Sequence, residues 1–170
     1  MADMRDLAKR WSIRAMLLLL PLLGASAQST HQATGPGSSS TTAQELGPSD
    51  LIQPQELADI LRSSRSEKPL ILQVGFRILF QQAHIPGAEY AGPASTADGL
   101  QQFHKRVENV PRKKLIVLYC GCCPWSHCPN VNPAFAALRN MGFKNVKVLY
   151  IASNFGADWA DKGYPVTRGE

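Results

Sequence analysis

Leu115-Ile116-Val117-Leu118-Tyr119, followed by Cys120-Gly121-Cys122-Cys123-Pro124-Trp125-Ser126-His127-Cys128-Pro129 and then Asn130-Val131-Asn132-Pro133, is the stretch on which the reading of this chain turns. Five consecutive apolar or aromatic residues, two of them β-branched, describe a strand buried on both faces, which is how a central parallel strand reads. Asn132 and Pro133 suit a helix N-cap and first turn, Ala134 to Met141 is helix-forming, and Gly142 suits the residue just past the end. The loop between them holds all four cysteines of the chain. In α/β folds reactive groups gather where such a strand ends and the next helix begins, so chemistry is expected at Cys120 to Cys128.

Working outward, strand-like and helical segments alternate. Leu51-Ile52 is a short apolar piece, followed by an amphipathic helix from Pro54 to Leu61 with Leu57, Ile60 and Leu61 inward. Leu70 to Val74 reads as a strand, Ile78 to Gln82 as one helical turn, His84-Ile85-Pro86-Gly87-Ala88 as a turn, and Ala97 to Val107 as a helix with Leu100, Phe103 and Val107 apolar. Beyond the cysteine loop come a strand at Val146 to Ile151, a last helical piece at Gly156 to Lys162 and a closing turn at Gly163-Tyr164-Pro165. Alternation of this kind predicts an α/β fold, a central parallel sheet flanked by helices on both faces.

The N-terminal region has a different character. Arg5, Lys9, Arg10 and Arg14 precede the apolar run Ala15 to Leu23, which ends in Ala25-Ser26-Ala27. This is the pattern of a cleaved secretory signal peptide, residues 1–27. The apolar core, interrupted by Pro21, is short for a membrane-spanning helix, so no stable membrane insertion is expected after cleavage. Residues 28–47 are rich in Ser, Thr, Gly and Gln and read as a disordered linker. Residues 48–170 then form a single domain, periplasmic or secreted. Removing the leader leaves 14 basic against 11 acidic side chains. With no basic run interleaved with aromatics, nucleic acid is not an expected partner. Export also matters for the cysteines, because thiols outside the cytoplasm meet an oxidising environment.

The ordered set of segments resembles the rhodanese-like domain of sulfurtransferases. The resemblance rests on Glu56-Leu57 in the first helix, His84-Ile85-Pro86-Gly87-Ala88, Val117-Leu118-Tyr119-Cys120, Gly142-Phe143 and Gly163-Tyr164-Pro165-Val166. It implies a rhodanese-like α/β fold and a cysteine, here Cys120, that carries sulfane sulfur as a persulfide. A small sulfur donor or persulfide and a thiol acceptor are the partners this implies, with a periplasmic thiol reductase if a disulfide forms. A thiolate at Cys120 would be favoured by loop amides and the helix N-terminus. Backbone N–H groups from Gly121 to Ser126 would hold the charge on the terminal sulfur, which makes Gly121, Pro124, Trp125, Ser126 and His127 the candidate substrate-binding residues.

Departures from the family pattern sharpen the reading. The cysteine loop is longer than in ordinary relatives, and the family's Asp-x-Arg brace reads Gln73-Val74-Gly75, with Arg77 as a weak substitute. The loop also lacks the basic residue with which many relatives hold anionic donors, so thiosulfate is not the expected donor, and a Lys or Arg at Gly121 would be expected to improve its use. Phosphatases of related fold place Arg where this chain has Ser126, which disfavours phosphatase chemistry. The gaps between successive cysteines, one, none and four residues, are not those of a thioredoxin-like oxidoreductase.

Three readings of the extra thiols compete. Cys122, Cys123 or Cys128 resolves the Cys120 persulfide as a disulfide; Cys128 staples the loop to Cys122 or Cys123; or the loop is a non-catalytic module that binds zinc, Cu(I) or a protein partner. The favoured reading, a sulfurtransferase or thiol-redox protein, assigns catalysis to Cys120, Cys122, Cys123 and Cys128, and no cofactor or metal ligand. His84 is read as part of a turn, His127 as a neighbour able to lower a cysteine pKa, Trp125 as a loop anchor, and Trp159 and Tyr164 as packing.

Overall fold

The computed structural model describes residues 46–64 and 66–169. The segments read as leader and linker lie outside the described residues, apart from Leu46 and Gly47. Leu46, placed by composition at the end of the linker, packs against the core, and the Gly47 N–H donates to Asp50 in the short 3₁₀ turn Pro48–Asp50.

The sheet has five parallel strands: β1 (Leu51–Ile52), β2 (Leu70–Gln73), β3 (Ala88–Tyr90), β4 (Ile116–Tyr119) and β5 (Val146–Leu149), in the spatial order β1-β5-β4-β2-β3. β4 is central, and its four residues are all buried. The strand's period of two sends Ile116 and Leu118 to one face and Val117 and Tyr119 to the other. On the first face they meet α3 (Ala97–Val107) and α4 (Val131–Asn140) through Phe103, Val107, Phe135 and Leu138. On the second they meet α1 (Pro54–Arg62) and α2 (Arg77–Gln82) through Leu57 and Phe80, together with Trp159 from the single π-helical turn Gly156–Ala160. Helices therefore cover both faces. Among the described residues no helix is long and apolar enough to cross a membrane.

Local chemistry sets the element ends. Pro54 occupies the first position of α1, where a missing N–H costs nothing. Thr96 caps α3 by accepting from the Gly99 N–H at 3.0 Å. Gly142, at φ +85°, ends α4 in a Schellman turn, its N–H bonded to Arg139 O and that of Phe143 to Leu138 O.

Two expectations about the elements need correction. β3 was not foreseen as a strand. It follows the Pro86-Gly87 turn, closed by Ala88 N–H to Ile85 O, and pairs with β2 from Ile71↔Ala88 to Gln73↔Tyr90. α4 begins two residues earlier than expected: Asn130, not Asn132, is the N-cap, and Pro133 falls third in the first turn, where its missing N–H is one of the orphan donors.

Candidate active site

Cys120 directly follows β4, whose partner β2 ends level with it through the Gln73↔Tyr119 pairing and the Val74 N–H to Tyr119 O bond. Its side chain is buried, yet it lines a cavity of about 420 Å³ together with Gln73, Leu79, Tyr119, Cys122 and Phe155. None of the lining residues is acidic or basic.

The strand-end loop is fastened by neutral groups. Gln73, 1% exposed, donates from Nε2 to Cys120 O at 2.9 Å and accepts the Gly75 N–H on Oε1 at 3.2 Å. The position where relatives carry an ionic brace thus carries an amide brace. Arg77 is exposed and stacks its guanidinium 4.2 Å from the Tyr90 ring centre. Gly75 makes room for the sulfur: a Cβ there would sit 2.8 Å from Cys120 Sγ and 3.0 Å from Cys120 O. On the opposite side Asn130, fully buried, accepts the Ser95 N–H on Oδ1 at 3.0 Å and points Nδ2 at Cys120 Sγ, 3.5 Å away. Asn130 and Phe155 were not among the residues singled out from sequence for the site, and Gln73 and Gly75 were noted there only as the loss of an ionic brace. Polar or minimal side chains beside a strand end are the available signal, but their partners are remote in the chain.

The loop itself is anchored to the sheet. Gly121 adopts φ +90°, its carbonyl accepts the Phe155 N–H, and a Cβ on it would come 3.1 Å from Phe155 Cβ. A Lys or Arg at Gly121 is therefore strained in backbone and crowded in space, which counts against the expectation that it would improve thiosulfate use. Trp125 bonds through its N–H to Ile151 O and packs its ring against the core, as an anchor should. Ser126 and His127 are exposed and bond each other at 2.9 Å, while Pro124 stands before the 3₁₀ turn Trp125–His127. Of the five candidate substrate-binding residues, Gly121 lines the cavity, and Pro124, Trp125, Ser126 and His127 lie elsewhere on the loop. His84 is buried, bonds Phe80 O through Nδ1 and stacks on the Phe80 ring at 3.9 Å, a structural role.

All four cysteines are thiols, and they converge. Cys120 Sγ lies 3.3 Å from Cys122 Sγ, which lies 3.2 Å from Cys123 Sγ, and Cys128 is buried against Cys120. The charge is distributed differently from the sequence expectation. Hydrogen bonding from the Cys120 thiol, and then the N–H groups of Asn130 and Val131 at the start of α4, pull the Cys128 thiol down to about 6 against the cost of burial. Cys120 is pushed up, first by its hydrogen bond to Cys128 and then by burial, with only the Cys122 N–H acting in the other direction. Burial, followed by the hydrogen bond to Cys122, raises Cys123 to about 12. The helix N-terminus expected behind Cys120 serves Cys128, whose sulfur is also hydrogen-bonded to Cys120.

The sequence profile of the rhodanese-like domain matches residues 53–150, from the start of α1 to just past β5. This chain belongs to the rhodanese-like domain family. No curated protein matches it. Among solved structures, the rhodanese-like fold is shared with the Alr3790 protein from Anabaena sp., at 20% identity over 69% of this chain and 91% of that one, with a TM-score of 0.54. BH2092 from Bacillus halodurans matches at 19% identity over 69% and 76% of the two chains, TM-score 0.54. EanB in complex with hercynine matches at 23% identity and a TM-score of 0.50, over 69% of this chain and 27% of that chain. At these identities the likeness is one of fold. The rhodanese-like domain here places its cysteine cluster at the carboxyl end of the sheet's central strand.

Proposed function

We propose that this rhodanese-like protein is an exported sulfurtransferase that carries sulfane sulfur as a persulfide on Cys120. The observation that carries the reading is the position of the Cys120 sulfur. It closes the floor of the cavity at the end of β4, within hydrogen-bond reach of the Cys122 N–H, Asn130 Nδ2 and the Cys128 sulfur.

Cys128 is the base of the pair. In loading, the Cys120 sulfur bonds to the outer sulfur of a donor R–S–SH while its proton passes to the Cys128 thiolate; the donor S–S bond breaks and R–S⁻ leaves. In unloading, an acceptor thiolate bonds to the same outer sulfur, the Cys120 S–S bond breaks, and Cys120 recovers its proton from Cys128. Cys122, exposed at the cavity mouth, stands next to both steps. A lining without cations favours donors whose reacting sulfur group carries at most one charge, the persulfides of small thiols, over doubly charged thiosulfate. Export, to periplasm or medium, is supported by the leader pattern in residues 1–27.

The test is intact-protein mass spectrometry of reduced protein after exposure to glutathione persulfide. One added sulfur is expected in the wild type and in Cys123→Ser, and none in Cys120→Ser. Retention of the added sulfur in Cys120→Ser would refute the assignment.

A further inference from the structure

The sulfurs of Cys120, Cys122 and Cys128 lie within 4.8 Å of one another and belong to no disulfide. A metal ion about 2.3 Å from each of three coplanar thiolates spaces them about 4 Å apart. The cluster is therefore of the right size before anything binds. Two of its members are fixed, since Cys120 and Cys128 are 3% and 2% exposed, Cys120 just past the end of β4 and Cys128 between the 3₁₀ turn Trp125–His127 and α4. The third, Cys122, is exposed and now 3.3 Å from Cys120, so widening that gap needs a rotation of a surface side chain only.

The donor set is unmixed. Among the described residues no imidazole or carboxylate joins this group: His127 turns Nδ1 to Ser126, and Cys123, although 3.2 Å from Cys122 and hydrogen-bonded to Cys128, falls outside the set of sulfurs that are all mutually close. Structural zinc takes four ligands in a tetrahedron, whereas three soft thiolates with no hard donor suit a monovalent soft ion. The surroundings suit a cation, while the preference for a soft monovalent one rests on the donor set. The N–H groups of Cys122, Asn130 and Val131 and the Asn130 amide face the sulfurs, and no Lys or Arg lines the adjoining cavity, so no cationic side chain from that cavity would compete with a metal for the sulfurs.

We infer that Cys120, Cys122 and Cys128 form a three-thiolate site for one soft monovalent cation of the Cu(I) class, entered from the exposed Cys122. On binding, each thiol that becomes a ligand gives its proton to the buffer and a lone pair to the metal; no electron changes hands. Because the metal uses the sulfur that the proposed transfer reaction needs, metal and sulfane sulfur exclude each other.

The experiment is an anaerobic titration of the reduced full chain with Cu(I), supplied as its acetonitrile complex, against the chromophoric competitor bicinchoninate, with Zn(II) in a parallel series. One Cu(I) per chain withheld from the competitor is expected. Cys122→Ser should weaken binding by more than the roughly 100-fold that loss of a mere supporting group costs. Cys123→Ser should leave binding unchanged. Cys122 and Cys123 are not in the buried core, so both variants keep the fold, and circular dichroism of each confirms it. Failure to retain Cu(I), equal loss in Cys122→Ser and Cys123→Ser, or Zn(II) held as tightly as Cu(I) would each overturn the site. So would sulfur uptake by Cu(I)-loaded protein at the rate of metal-free protein, because Cys120 would then be free. Sulfur loading of metal-free protein is scored separately, so loss of either reading leaves the other standing.

Discussion

Gly75→Ala isolates the packing on which the site depends. The added Cβ would stand 2.8 Å from Cys120 Sγ, 2.9 Å from Gln73 Nε2 and 3.0 Å from Cys120 O. Three contacts that short cannot all be relieved by the Gln73 amide, because one is to backbone and one to the sulfur. Overpacking of this kind costs about 1–3 kcal/mol. Restricting the unfolded chain returns about 0.4–1 kcal/mol for a Gly-to-Ala change, and Gly75 has no positive φ to add strain, so the net loss is about 1–2 kcal/mol. For a domain of this size that lowers Tm by roughly 3–10 °C. The assay is a thermal melt of Gly75→Ala, Cys120→Ala and the double variant. Removing the sulfur relieves one of the contacts, so the loss caused by Gly75→Ala should shrink by about 0.5–1 kcal/mol in the Cys120→Ala background, a coupling typical of touching residues. Strict additivity, or an unchanged melt in Gly75→Ala, would refute the close approach of Gly75 to the sulfur.

Other perturbations address the rest of the cradle. Gln73→Leu leaves the buried Cys120 carbonyl and Gly75 N–H without their partner and should cost about 1–3 kcal/mol, read from denaturant midpoints. Asn130→Asp keeps the acceptor for Ser95 but buries a carboxylate against the Cys120 sulfur, so persulfide loading should slow and Tm should fall, the loss of Tm being smaller at acid pH where the carboxyl is neutral. Gly121→Lys should lower stability by about 1–3 kcal/mol through its φ of +90°, with no gain in thiosulfate use in a rhodanese assay.

What was legible in the sequence divides along physical lines. β4 was legible because burial on both faces writes a continuous apolar run, and α3 because the spacing of Leu100, Phe103 and Val107 marks its inner face. β3 was not, since Ala88-Glu89-Tyr90 is a three-residue edge strand whose pairing with β2 comes from the preceding turn rather than from its own composition. Asn130 and Asn132 are equivalent N-caps by local preference. The choice falls to Asn130, whose side chain is committed to Ser95 and Cys120 and does not cap at all. The cysteine cluster was plain from spacing. The amide brace was hidden, because replacing Asp-x-Arg by Gln73-Val74-Gly75 looks like a loss until the Cys120 carbonyl, 47 residues away, is found to be its partner.

The assignment of charge to Cys128 has a kinetic signature that a single rate cannot reveal. With the pair losing its first proton near the value of about 6 shown by Cys128, nine-tenths of the pair is anionic at neutral pH. In Cys128→Ser, Cys120 lacks that thiolate partner but stays buried; even at an ordinary thiol pKa of about 8.5 it would be only about 3% ionised at pH 7, a share smaller by roughly 30-fold at the least. The more basic thiolate is intrinsically the better nucleophile, and a Brønsted coefficient of about 0.4–0.5 over those 2.5 units returns roughly 10-fold or a little more. The two effects nearly cancel, leaving about a 2- to 3-fold loss at pH 7, too small to argue from. The pH profile of iodoacetamide alkylation keeps the information. As pH falls, the lowered pair pKa holds the wild-type rate level down to about 6 and then lets it drop, whereas the Cys128→Ser rate should still be climbing at pH 8. Coincident profiles would mean that Cys120 ionises without help from its neighbour, and the shared-proton mechanism for sulfur loading would have to be abandoned.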